Sequence, residues 1–550
     1  MTSAPRTQSP ALSTGLVPVP AVFKERELAR LVRIGLLVPL ALGAALQPGL
    51  PWAAPAGGRV VGGSGSIESG GNLTQIQQGS HRLAIDWQSY NVGANETVRY
   101  LQPSASAAAL NRVLDGNPSQ ILGRIEANGQ VFLMNPSGII FGRNATVNVG
   151  SLVAAAMDMD KAKFMNGIYE MGVPAGIEPG MVVNQGLLEA ATGGSVTLVG
   201  GAVRNEGAII AKLGQVNLGA GRRAVVDFDG NDIIRFEVDG ELTANTHQVE
   251  SAVSNTGTID AAGGTVLMTA KTAGDVFTSV VNNEGIVRAG SIDTQGGEIR
   301  LTGSGGLVRN SGTLDASRKT GGKVSVKGLK IDHTGRILAE GRDGAGGQAV
   351  LEAVDTTTVS KGGVISVRAG TGGKGGRADV LGERVALLDQ ARIDASGGQG
   401  GGKIRVGGDY QGKNAAVKNA KRTHVGAGVT MAADAGERGD GGTVIVWADE
   451  DTRYFGAISA IGGARSGNGG FAEVSGKQYL DYSGTADLRA AAGATGTLLL
   501  DPNNITISTG ADDKNGGTGT LEDPFTSTND TSVLALWDLS RSHSFLKTAG

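Results

Sequence analysis

One ten-residue pattern recurs along this chain and restricts its fold more than any other feature. It runs from Met181 to Ala190: apolar residues lead to Asn184, a polar residue, Gly186 and a second apolar run. The pattern returns around Asn205, Asn255, Asn283 and Asn310, at steps of 21, 50, 28 and 27 residues. Between the repeats lie second strands of alternating pattern, as at 194–198 and 322–326. Strand, Asn-Gly corner, strand, Gly-Gly corner at a period in the twenties is the signature of a parallel β-helix. One such coil cannot bury enough apolar surface to offset its ordering entropy, so it folds only when stacked on a neighbour. Coils about 4.8 Å apart would build residues 60 to 500 into a rod of roughly 90–100 Å.

Composition fits corners better than a closed globule. There are 91 Gly in 550 residues, against a usual frequency of about 7%. A formal net charge of −3 argues against a general nucleic-acid or acidic-membrane binder.

The first 56 residues read as an export signal. Lys24, Arg26, Arg30 and Arg33 precede an uncharged apolar run from Ile34 to Leu46. That run is too short for a stable membrane-spanning helix but fits a signal-peptide core. Ala54-Pro55-Ala56 supplies the small residues of a cleavage site, with Ala54 and Ala56 as its marks. Export gives the absence of Cys a meaning: an exported chain of this size can hold disulfides, yet it has none. A chain that crosses the periplasm unfolded must avoid a disulfide-closed loop too wide for a pore.

The strongest local signal lies between Gly123 and Val149. Val131-Phe132-Leu133-Met134 is a continuous apolar run, as expected for a strand buried on both faces. Asn128-Gly129 before it is a hairpin-type turn signal. Asn135-Pro136-Ser137-Gly138 after it reads as a type I turn with an exposed polar edge, and Ile139-Ile140-Phe141 begins the next strand. Upstream stand Ile85 to Gly93, Leu110-Asn111-Arg112-Val113-Leu114 and Asn117-Pro118-Ser119-Gln120-Ile121.

In this order and spacing the segments resemble the amino-terminal secretion domain of two-partner secretion exoproteins, the filamentous haemagglutinin and high-molecular-weight adhesin family. The family's Asn-Pro-Asn-Gly-Ile stands here as Asn135-Pro136-Ser137-Gly138-Ile139. A second hallmark, Asn-Pro-Asn-Leu, is missing, which points to the adhesin-like branch. The resemblance covers about residues 60–510 and is strongest up to 150. It implies an all-β chain: a right-handed parallel β-helix with an amino-terminal secretion-domain cap. It also implies recognition in the periplasm by an outer-membrane barrel transporter of the two-partner type. Asn135, Pro136, Ser137, Gly138 and Ile139, supported by Asn117 and Pro118, would then shape the secretion determinant. The organisation expected is signal peptide 1–56, secretion domain 57–185, β-helix repeats 186–505 and a truncated or irregular tail 506–550. Residues 535–550 contain no alternating membrane strands, which disfavours a self-made pore.

Chemistry finds little foothold. The acidic cluster Asp227 to Asp232 does not match a twelve-residue calcium loop and reads as a polar turn. The five His, at 81, 247, 333, 424 and 543, form no local zinc pair. No Ser elbow or phosphate loop appears. The chain is therefore expected to be no enzyme, with no cofactor and no metal site. Arg438-Gly439-Asp440 lies in a Gly-rich turn and reads as a chance tripeptide. Lys413, Lys418, Lys421, Arg422 and His424 form a basic stretch in what looks like a loop leaving the coil. The reading is an adhesin-like exoprotein, secreted or held at the surface of a Gram-negative cell, with a host-cell or glycan receptor and no stable membrane span. Two alternatives remain: a polysaccharide-cleaving β-helix enzyme, and the stalk of a contact-dependent inhibition toxin lacking its effector.

Overall fold

The computed structural model describes residues 54–501 except 230–232 and 291–296, and beyond them the short strands Ile505–Ser508, Ser532–Ala535 and Phe545–Thr548. The signal segment and most of the tail therefore lie outside the described residues.

Each repeat forms three short strands separated by corners. Met181–Asn184 turns at Gly186 into Leu187–Ala190, which turns at 192–193 into Ser195–Gly200. The next strand, Ala202–Asn205, then lies parallel on the first, with Asn205 beside Asn184. Alternation decides which side chains enter the core, because successive residues of a strand point to opposite faces. Val182, Leu188, Val196 and Leu198 point inward and are fully buried. The pairing passes from coil to coil through Val203, Val253, Val281, Val308 and Ile331, and onward to Leu480. This is the parallel β-helix that the repeats predict, and one hydrophobic core runs along it from Ile76 to Leu500.

The irregular steps have a structural cause. The 50-residue step from Asn205 to Asn255 contains the antiparallel pair Arg223–Asp229 and Ile233–Asp239. These strands join Asp158–Met159 and Tyr169–Gly172 in a four-stranded sheet laid against the outside of the solenoid. A short helix, Lys161–Met165, is started by the Asp160 carboxylate, which accepts from Lys163 N at 2.8 Å. Phe132 packs on Phe164 and Tyr169 of this appendage, with ring centroids 5.4 and 5.0 Å apart. The strand Gln130–Met134 is thus apolar throughout because it is covered on both sides.

Asn128-Gly129 does not form a hairpin. The strands on either side, Arg124–Ala127 and Gln130–Met134, lie on different faces and pair with different neighbours, all parallel. Asn128 instead holds the corner to the coil before it. Its Oδ1 accepts from Gln102 N and its Nδ2 donates to Gln102 O, both at 2.8 Å. An Asn-Gly pair serves a solenoid corner as well as a hairpin, and only the register tells them apart.

The repeated Asn residues are also not simply corner residues. Asn184, Asn205, Asn255, Asn283 and Asn310 all point into the core and are buried. Each Nδ2 donates to Oδ1 of the next Asn at 2.7–2.8 Å, forming a file of amides along the axis. In register with them stand Phe141 before the file, and His333, Val359, Leu387, Val425, Tyr454 and Tyr482 after it.

Candidate secretion determinant

The corner after Met134 is built between two neighbouring coils. Gly138 N donates to Asn135 O at 2.9 Å, the closing bond of a β-turn. Asn135 Oδ1 accepts from Ser137 N at 3.0 Å, so the side chain braces its own turn. Its Nδ2 reaches the preceding coil, donating to Asn117 O at 2.9 Å and to Ser119 Oγ at 3.0 Å. Pro136 O, in turn, accepts from Gly180 N of the following coil at 3.0 Å. Gly138 has φ +119°, and a Cβ there would lie 2.9 Å from Met181 O. Glycine is required at this position by both conformation and space.

Burial divides the sequence-predicted residues into two groups. Asn135, Gly138 and Ile139 are buried, Ile139 in the main core between Ser119 and Val182. Asn117, Pro118 and Pro136 are exposed, and Ser137 is half-buried. The exposed edge is therefore made by Asn117 and the two prolines, less polar than expected, because the Asn135 amide is spent inside the structure. Leu114, 59% exposed, precedes the Asn117 corner. Of the cleavage-site pair, Ala54 is half-buried, and Ala56 is exposed and bridged to Ser89, with Ala56 N donating to Ser89 O at 2.9 Å.

A polar centre built from the upstream segments stands one coil earlier. Asn111 is fully buried, and its Oδ1 accepts from Trp87 Nε1 at 3.0 Å and from Tyr100 OH at 2.8 Å. Tyr90 and Tyr100 share a 2.7 Å hydroxyl contact, and burial pushes both phenols well up. Asn111 Nδ2 donates to Phe132 O at 3.1 Å, which ties this centre to the strand that carries Asn135.

The other candidates take structural places. Asp227 sits opposite Arg235 in the appended pair, and the turn 230–232 lies outside the described residues. Among the described residues no group of acidic or histidine side chains has the arrangement of a metal site. Arg438-Gly439-Asp440 is stacked into the coil: Arg438 N donates to Gly398 O at 3.1 Å, and Asp440 Oδ1 accepts from Asn468 N at 2.7 Å. The basic stretch divides. Arg422 and His424 belong to the coil strand Arg422–Val425, not to a loop. The loop before it folds back, with Lys418 Nζ donating to Val354 O at 2.5 Å. Beneath it Arg405 is held between Asp379, at 2.7 and 2.8 Å, and Asp409, at 2.7 Å. Burial and the Arg453 charge lower His424 to about 4.

The fold and this corner define a capped β-solenoid whose first coils carry an inter-coil Asn-Pro turn. Residues 53–316 match the family model of the TPS secretion domain. The chain thus carries the secretion domain of the two-partner secretion exoproteins. A heme/hemopexin-binding protein of Haemophilus influenzae strain Rd is 31% identical over 310 residues, 52% of this chain and 32% of that protein. A second heme/hemopexin-binding protein of Haemophilus influenzae is 41% identical over 95 residues, 17% of this chain and 10% of its own. The chain thus spans about a third or less of these relatives' lengths. The crystal structure of the HMW1 secretion domain from Haemophilus influenzae aligns with a TM-score of 0.49 at 27% identity, covering 80% of this chain and 100% of that one.

Proposed function

We propose that the chain is exported by two-partner secretion: an outer-membrane barrel transporter recognises its amino-terminal domain in the periplasm, and the β-helix rod mediates attachment at the cell surface. The match of residues 53–316 to the secretion domain carries this reading. The corner at Asn135 supports it, because its residues tie three consecutive coils together. Folding outside the cell, coil upon coil, would oppose back-sliding through the pore. The signal peptide ending at Ala56 and the boundaries 57–185 and 186–505 belong to the same reading.

The test is export of a variant with Asn135→Ala and Gly138→Ala, followed by fractionation with and without the transporter. Chain retained in the periplasm, and absent from the surface and medium, is the expected result. Export at the unaltered level would sink the assignment of the determinant. The names of the two Haemophilus relatives favour one further reading of the rod, as a surface that binds hemopexin. Immobilised hemopexin should then retain the exported chain, and equal retention by the unloaded resin would refute that reading.

A further inference from the structure

The file of core amides has a direction, and it ends on a titratable group. At its start Asn184 Oδ1 accepts from Gly186 N at 3.1 Å. The second Nδ2 protons of Asn205, Asn283 and Asn310 face the carbonyls of Gly207, Gly285 and Gly312 at 3.3–3.5 Å. Reversing any one amide would set donor against donor, so the file runs one way. Asn310 Nδ2 therefore donates to His333 Nδ1, at 3.1 Å. His333 Nε2 lies 3.1 Å from Val364 O, an acceptor, so this nitrogen carries the proton of the neutral ring. The imidazole is fully buried, and the next residue in its column is Val359.

We propose that His333 makes this coil an acid-sensitive joint in the rod, since a proton taken up on Nδ1 releases the last amide of the file. The protonated nitrogen has one other acceptor, Asn310 O at 3.3 Å. That oxygen already accepts from Thr334 N and Gly335 N, at 3.0 and 3.1 Å, at the corner joining the two coils. Asn310 Nδ2 then faces an N–H inside the core, and a buried unpaired donor is costly. The strands packed against the ring bring few charges. Leu307–Asn310 contributes Arg309, which points outward and pairs with Asp332 at 3.4 Å. Asp332 lies on the ring's own strand, and Gln348–Val359 and Val364–Ser366 place Val359 and Val364 beside it. Burial holds the imidazole below its ordinary value, against the opposing pull of the Val364 and Asn310 carbonyls and of Asp332. A lowered folded value means that the His333 contribution to stability is complete above about pH 6.5. It is lost as the pH falls from there through the folded value.

Hydrogen exchange on the full chain, corrected for intrinsic rates, tests this between pH 7.5 and pH 5.0. Protection over residues 307–338 should fall by up to about tenfold per pH unit below 6.5, relative to residues 195–220. H333N supplies Asn310 with an Oδ1 acceptor and should lose most of that excess fall. An equal fall in the wild type and H333N would overturn the proposal. Should H333N not fold, imidazole ¹⁵N spectra of the wild type decide. A ring still neutral and protonated on Nε2 at pH 6 supports the joint, and one that titrates at the ordinary value with protection unchanged refutes it.

Discussion

The coils before and after His333 share one backbone and fill the same inward column in opposite ways. From Asn184 to Asn310 the column is polar, and each amide bonds to the side chain one coil away. From Val359 to Tyr482 it is apolar, ending in two tyrosine rings stacked at 5.5 Å and 9°. The polar half fixes register, because a coil that slips strands a buried donor and acceptor together. The apolar half gains from any contact of about the right volume and leaves register to other devices. There, Thr357, Thr423 and Thr452 point inward and donate to Leu381 O, Trp447 O and Ser475 O at 2.7–2.8 Å. The buried cluster of Asp379, Arg405 and Asp409 pins the long loop from the outside.

The comparison is broken most severely at that cluster. Arg405→Met removes the charge between Asp379 and Asp409 and should cost about 3–5 kcal/mol, read as a lower urea midpoint and as proteolysis within residues 407–421. Loss of less than about 1 kcal/mol would show that Lys403, Arg377 and water replace it. In the polar half, Asn255→Val strands Asn205 Nδ2 and Asn283 Oδ1 and should cost roughly 2–4 kcal/mol. Leu387→Val at the matching place in the apolar half should cost only about 1 kcal/mol. Equal losses at the two sites would dissolve the distinction between the halves. The last effect depends on pH. Burial raises the Glu473 carboxyl to about 7, aided by Asp501 and Asp409 and opposed by the Gln411 N–H and Ser475. A raised carboxyl favours the protonated fold, so its contribution is greatest in acid and falls as the pH rises from about 4.5 through 7. Glu473→Gln should flatten that slope by roughly 1–3 kcal/mol between pH 5 and pH 8, opposite in sign to the effect of His333.

Much of this was legible in the sequence because the solenoid is locally encoded. The strand-Asn-Gly-strand unit, the apolar run at 131–134 and the Asn-Pro turn each depend on residues within a few places of one another. What escaped depends on the neighbouring coil. Asn184 and its successors look like turn residues until their partners 21 to 50 residues away are known. Asn111 lies in a segment that the resemblance singles out, but its role stayed hidden, since Trp87 and Tyr100 reach it only after the coils stack. The stretch before Arg422 looked like a loop leaving the coil because Arg405, which holds its Asp409, is itself fixed by Asp379, 26 residues away. The Asn135-Pro136-Ser137-Gly138 turn forms as its residues predict, but its most recognisable residue, Asn135, proved to be interior.

The first end of the rod has a property that the rest lacks. Arg59–Gly62 runs antiparallel to Arg82–Trp87, and Gly65–Gly70 runs antiparallel to Leu73–Gln78. Every later coil offers its successor a strand of its own direction, which is what makes growth repetitive. The opening strands present the reverse direction, and an outer row of Gly, Ser and Glu at 65–70. These strands cover the edge that the first parallel coil would otherwise leave bare. Parallel stacking thus begins only on Leu73–Gln78 and Arg82–Trp87, one layer inside the strands that cap them.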